Sequence, residues 1–193
     1  MTQPALVKVH LDSMTDALLV RRVLEGDARA FTTLVDRHLQ PCLRFATRML
    51  GSRHDAEDAT QEALLRAYRA LATYDPGSSF RTWLFAILVN RCRTALLRRS
   101  RYVRRVVTDG DAMQSATVGD GAMSAELRIE IDRAVAQLDP EQREAFLLKH
   151  VEQLNYEEMS AVTGIGISAL KMRVKRACER LQHLLGEVND VTS

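Results

Sequence analysis

Residues 155–185 read NYEEMSAVTGIGISALKMRVKRACERLQHLL, and a short helix, a glycine turn and a longer helix follow from that order of residues. Asn155 is an N-cap residue, Gly164 a stop, and Gly164-Ile165-Gly166-Ile167 a turn, after which Ser168 is placed to cap a last helix reaching about Leu185. In that helix Leu170, Val174, Ala177, Leu181 and Leu184 recur at alternating steps of four and three, which puts them on one core-facing stripe. The opposite face carries Ser168, Met172, Lys175 and Arg176, flanked by Lys171, Arg173 and Arg180. This is the arrangement that fits a helix into the major groove of DNA, where lysine and arginine neutralise phosphates or reach guanine edges. A helical hairpin with a solvated basic face accounts for the same pattern. Met172 suits either a packing contact or a thymine methyl.

Upstream, the same punctuation marks further helices. Thr15 caps one through Leu24 that stops at Gly26, Asp27 caps the next, and Pro41 is read as the start of another ending at Gly51. Ser52, with Asp55 three residues on, opens a long helix to about Thr73, packed through Leu64, Tyr68 and Leu71. Asp75-Pro76-Gly77 is a turn, and Ser79 begins a helix that is apolar on nearly every side from Trp83 to Val89 before it turns basic. Val107 to Ser124 has glycines, aspartates and no sustained periodicity, so it reads as a linker. Beyond it Ser124 caps a helix to about Leu138, and Asp139-Pro140-Glu141-Gln142 supplies the N-cap, N1 proline and N3 glutamine of the next. The expectation is an all-α protein of two helical domains: a loose N-terminus 1–14, a first domain 15–105, a linker 106–124, a second domain 125–186 and a tail 187–193.

Composition bounds what such a chain does. Its 193 residues are 46% hydrophobic and 27% charged, the balance of a folded globular protein, and 5% aromatic with 9 Gly and 4 Pro, which disfavours an all-β chain. The formal charge is only +2, but it is segregated. Seven arginines and no acid lie between Arg91 and Arg105, and four acids and no base between Asp55 and Glu62, which suggests separate surfaces for oppositely charged partners. Cys42, Cys92 and Cys178 form no CxxC and no disulfide framework, and His150 and His183 have no ligand spacing, so no metal is expected. Lys8, His10 and Asp12 interrupt any signal-peptide core, and no stretch is apolar enough to span a membrane. A soluble, cytoplasmic protein without membrane insertion is expected.

Two N-terminal segments carry the remaining chemistry. Asp55, Asp58 and Glu62 share a helix face bordered by Gln61; Arg66 and Arg69 stand one and two turns on, so ion pairing within the helix and docking of a protein both fit. Catalysis fits poorly, since no nucleophile or phosphate loop is nearby. Phe80-Arg-Thr-Trp83 through Arg105 interleaves rings with arginines: exposed rings stack unpaired bases while arginines follow phosphates, and buried rings simply pack.

Taken together these pieces resemble the sigma factors of bacterial RNA polymerase, specifically the short extracytoplasmic-function (group IV) type of the sigma-70 family. The carrying residues are Asp55-Ala-Glu-Asp-Ala-Thr-Gln-Glu62 followed by Ala-Leu-Leu-Arg-Ala-Tyr, then Phe80-Arg-Thr-Trp-Leu84 with Asn90, then Leu154-Asn-Tyr-Glu-Glu-Met159 through Lys171-Met-Arg173 to Arg176-Ala177. The resemblance implies that Asp55, Asp58, Gln61 and Glu62 dock on the clamp of the largest polymerase subunit. It implies that Phe80, Arg81, Trp83, Asn90, Arg91, Arg98 and Arg99 belong to the part that melts and captures minus-ten promoter DNA. Ser168, Ala169, Lys171, Met172, Arg173, Lys175 and Arg176 fall in the helix that reads the minus-thirty-five element, on a domain that meets the flap of the second-largest subunit. It further implies no catalysis by this chain, no cofactor, and an anti-sigma factor as an additional partner. Thr94 stands where the family pattern has an aspartate four residues after Asn90, and Met172 where it has a small polar residue. The rival reading is a stand-alone dimeric helix-turn-helix transcriptional regulator, which binds a palindromic duplex without polymerase.

Overall fold

Helix starts follow the capping residues in the computed structural model, which describes residues 11–105 and 125–191. Thr15 Oγ1 accepts from the Leu18 amide at 3.4 Å and begins α1 (Asp16–Leu24); Asp27 accepts from Arg29 N at 3.2 Å and begins α2 (Ala28–Leu50). Helix α2 runs through Pro41 without a break, contrary to the expected new start there. An interior proline costs about 3 kcal/mol. Leu34, His38, Cys42, Phe45 and Met49 continue one buried face across it, and each large apolar side chain so buried returns roughly 1.5–3 kcal/mol, so packing outweighs the proline. Residues 11–14 are not loose: Leu11 is buried, and Arg37 donates to the Leu11 and Asp12 carbonyls.

Ser52 Oγ accepts from Asp55 N at 3.3 Å to begin α3 (Arg53–Ala70), which tightens into a single narrow turn at Leu71–Thr73. Its buried stripe is Ala56, Ala59, Thr60, Ala63 and Ala67, with Leu71 buried and Leu64 packed partly buried against the core as predicted, whereas Tyr68 is not buried. Alanines let the helix approach its neighbours closely, which leaves the bulky Tyr68 50% exposed at the edge. Helix α4 (Phe80–Arg105) threads the bundle through Leu84, Phe85, Leu88 and Val89, all buried as the apolar run predicts.

The C-terminal half holds α5 (Ala125–Ala136), α6 (Pro140–Phe146) extended by a wider turn over Leu147–Val151, α7 (Tyr156–Thr163) and α8 (Ile167–Val191). Asp139 precedes Pro140 as expected but makes no side-chain cap; its carbonyl, accepting from Arg143 N at 2.8 Å, starts the helix while its carboxylate faces solvent. Asn155 and Glu158 form a reciprocal capping box, each side chain accepting from the other's amide at 2.8 Å. Gly164 ends α7 at φ 71°, a conformation that glycine adopts without steric cost. Helix α8 starts one residue before Ser168, because Leu170 N already bonds the Gly166 carbonyl, and it continues to Val191 through positions assigned to the tail. Leu170, Val174, Ala177, Leu181 and Leu184 are all buried, as their spacing predicts. The expected linker 106–124, with the cap at Ser124, lies outside the described residues. The C-terminal half packs on α2 and α4.

Candidate protein and nucleic-acid interfaces

Helix α3 presents the acidic strip. Asp58 is 67% exposed with His54 Nε2 3.8 Å away, Gln61 is exposed, and Asp55 is half-buried in the first turn. Glu62 Oε1 accepts from Arg66 Nη2 at 2.8 Å and from Arg91 Nη1 at 3.4 Å. The Arg66 guanidinium, helped by Arg91, holds the Glu62 carboxyl below the usual glutamate range. The ion-pair reading therefore describes Glu62, while Asp58 and Gln61 stay at the surface. Leu65, which sequence reasoning missed, lies between Gln61 and Asp58 around the helix and is 50% exposed. Its signal was available: an apolar residue off the alanine stripe and one turn from Gln61 and Glu62. Asp55, Asp58 and Glu62 form one wall of a groove of about 540 Å³ whose other wall is Arg91, Arg98, Arg99 and Tyr102 of α4.

Helix α4 separates the residues grouped on it from sequence. Phe80 is only 4% exposed, with its ring 5.5 Å from Tyr74, 5.6 Å from Trp83 and 5.3 Å from His38. The exposed-ring expectation fails for Phe80 because this aromatic cluster takes up both faces; Trp83 stays half-buried at its rim. Arg81 donates to the Glu152 carboxylate at 2.5 Å and carbonyl at 2.9 Å. Asn90 is exposed, and its carbonyl accepts from the Thr94 hydroxyl at 2.8 Å, so the residue replacing the family's aspartate bonds back into its own helix. Arg98 and Arg99 are exposed. The arginine run thus points in three directions: Arg91 toward α3, Arg93 toward α6, Arg98 and Arg99 toward solvent.

On α8, Ser168, Ala169, Lys171, Met172, Lys175 and Arg176 face outward, Met172 at 48% exposure. Arg173 is turned back, forming an ion pair with Glu141 of α6 at 2.7 Å. Lys171 and Lys149 approach the Tyr156 ring at 5.6 and 4.9 Å, a pair of cation–π contacts that ties the cationic face of α8 to α6 and α7. Cys178 Sγ stands 3.7 Å from His150 Nε2, a proximity with no spacing signal in the sequence. Among the described residues, no three His, Cys, Asp or Glu side chains are grouped to hold a metal ion, and no helix is long and apolar enough to cross a membrane.

Comparison with known proteins extends this geometry. Residues 34–115 match the family model described as sigma-70 region 2, and residues 128–181 match sigma-70, region 4. The chain is 32% identical over 184 residues to the ECF RNA polymerase sigma-E factor of Escherichia coli K12, covering 89% of this chain and 95% of that protein. It is 34% identical over 169 residues to the RNA polymerase sigma factor CarQ of Myxococcus xanthus, covering 88% and 97%. The fold is similar to that of the sigma factor RpoE from Bartonella quintana in its complex with the anti-sigma factor NepR, with a TM-score of 0.71 and 30% identity over 82% of this chain and 98% of that one.

Proposed function

Because this chain belongs to the extracytoplasmic-function branch of the sigma-70 family, whose members bind core RNA polymerase and direct promoter-specific initiation, we propose how its residues divide that work. Asp55, Asp58, Gln61 and Glu62 meet the clamp of the largest subunit, where an acidic strip complements a basic partner. Trp83, Asn90, Arg91, Arg98 and Arg99 engage minus-ten DNA, Arg81 joins them once released from Glu152, and Phe80 supports the site from within the core. Ser168, Ala169, Lys171, Met172, Lys175 and Arg176 read the minus-thirty-five element, with Arg173 steadying the helix from α6. The boundaries follow: 15–105 and 125–186 as the two working domains, the second against the flap of the second-largest subunit, and 106–124 as the tether between them. The chain acts in the cytoplasm and performs no catalysis of its own, since the family is a non-catalytic initiation subunit. An anti-sigma factor, the partner named for the Bartonella quintana relative, is the negative regulator.

The observation that carries this reading is the separation of charge: the acidic strip on α3 and the cationic face of α8 stand on different halves of one chain. The test is transcription from a pooled promoter library with bacterial core polymerase, with and without the protein, followed by sequencing of transcript starts. New starts sharing two spaced upstream motifs are expected. If the protein instead binds no core and shifts palindromic duplexes alone, the stand-alone regulator reading replaces this one.

A further inference from the structure

Where the two halves meet, three arginines of the N-terminal bundle face three carboxylates of the C-terminal half. Arg93 donates to both oxygens of Glu144 at 2.8 and 2.7 Å and to the Thr163 carbonyl at 3.1 Å. Arg81 grips the carboxylate and carbonyl of Glu152, and Arg48 donates to Asp132 at 2.9 Å. The Glu144 and Glu152 side chains are only 5% and 3% exposed. Glu152 is delivered by a strained turn, since the next residue, Gln153, has φ 59°, a region that side-chain-bearing residues seldom adopt. Buried Arg143 closes the contact from the other side, donating to the Met49 carbonyl at 3.0 Å and to carbonyls at the end of α5 and just beyond it.

Arg81 and Arg93 both project from α4. The two carboxylate oxygens of Glu144 seated on Arg93 reproduce the geometry by which arginine holds a phosphate, and Glu152 sets one carboxylate oxygen and its backbone carbonyl on Arg81, so each of these acids occupies a cation that DNA would otherwise meet. Both acids are out of water, so separating either from its arginine leaves an uncompensated buried charge, and the contact tends to break as a whole.

We propose that Glu144 and Glu152 are internal stand-ins for DNA phosphates: they hold the free chain closed, C-terminal half against α4, and release the arginines of α4 only when core polymerase draws the two halves apart. The link to promoter opening rests on the function proposed above; closure and phosphate competition do not.

The full-length chain without core tests this by small-angle X-ray scattering and by binding of a fluorescent single-stranded DNA of mixed sequence, a probe for the sequence-independent phosphate term. Glu144→Gln with Glu152→Gln is expected to enlarge the radius of gyration and to tighten DNA binding about tenfold at fixed salt, as the open fraction rises. The charge-matched control Glu25→Gln with Glu57→Gln leaves both readouts at wild type. Arg93→Glu opens the chain, and Arg93→Glu with Glu144→Arg closes it again. A double glutamine variant that stays as compact as wild type overturns the proposal, as does one that opens without gaining DNA affinity or a control that gains as much. Should the glutamine variant lose its helical circular dichroism, the charge swap decides: failure to regain compactness overturns it. Transcription by the wild-type chain with core is scored separately, so a failure of the sigma assignment there is distinguishable from a failure of closure.

Discussion

Glu62 of α3 and Arg91 of α4 are joined at 3.4 Å across the groove between the two helices, while Arg66 donates to the same Glu62 oxygen at 2.8 Å. A carboxylate at the acidic strip and an arginine of the basic run therefore share one charge network, so a residue assigned to polymerase docking also steadies one assigned to promoter DNA. Residues of the strip outside this network are the cleaner probes of docking.

Asp58→Ala combined with Gln61→Ala should weaken core binding at least about tenfold, and Leu65→Ala should add to the loss, since exposed residues at the centre of an interface carry most of its affinity. All three positions are exposed, so the melting temperature should hardly move. Titration against labelled core polymerase, beside thermal melts, measures both; retained core affinity with a large drop in stability would return the strip to a purely structural role.

Arg176 and Arg173 should behave differently although they are three residues apart. Arg176 faces solvent, and its replacement by alanine should cost upstream promoter contact about 1–3 kcal/mol if it reads a base, or lower the salt slope by about one if it meets a phosphate, with core affinity unchanged. Arg173 is engaged with Glu141, so Arg173→Ala should loosen α8 on α6 and affect DNA less. Footprinting of the holoenzyme compares them; an unaltered upstream footprint in the Arg176 variant removes that residue from the reading face.

Acid should weaken the N-terminal bundle at an identifiable point. Asp16 accepts from Arg37 Nη1 and pairs with His38 Nε2, both at 2.7 Å. The His38 hydrogen bond, then Arg37, holds its carboxyl below the ordinary value of 3.8 against the opposing effect of burial. A depressed carboxylate contributes stability that is fully present above its unfolded pKa and lost as pH falls through the folded one. Wild-type stability should therefore fall, as pH drops below the ordinary carboxylate value of 3.8, more steeply than that of Asp16→Asn, which should cost about 2 kcal/mol at neutral pH. Urea unfolding across pH tests the slopes, and parallel curves would show that Asp16 contributes nothing to acid lability.

Alkylation should rank the cysteines. Burial pushes the Cys42 and Cys92 thiols up to about 12, while half-buried Cys178 is raised too but keeps some access to solvent. Iodoacetamide at about pH 8 should label Cys178 first and the other two only on unfolding, because the thiolate is the reactive form. Peptide mass spectrometry reads the order; early labelling of Cys42 would mean that the bundle opens locally around α2.

Local rules carried far in this chain. Thr15, Asp27, Ser52 and Asn155 begin the helices they were expected to begin, and Gly51 and Gly164 end theirs with positive φ. The α8 stripe is buried at every predicted position because a helix with one apolar stripe has one way to face a core. Local rules failed where packing overruled them. Pro41 lies inside a helix because a buried face runs past it, and Tyr68 of α3 is held at the edge of its core face because alanines allow closer approach. Phe80 has the same chemistry as an exposed stacking ring and differs only in being surrounded.

By itself the sequence determined the helices, their caps, the two-part organisation, the acidic and basic strips and the family resemblance, because each depends on residues within a few turns of one another. Only the tertiary structure decided which charges are spent internally. Arg81, Arg93 and Arg173 are as basic in the sequence as Arg98 and Arg176, yet their partners Glu152, Glu144 and Glu141 lie 71, 51 and 32 residues away along the chain, a distance at which neither periodicity nor spacing carries information; packing of one half on the other brings the first two pairs together, and packing of α8 on α6 the third.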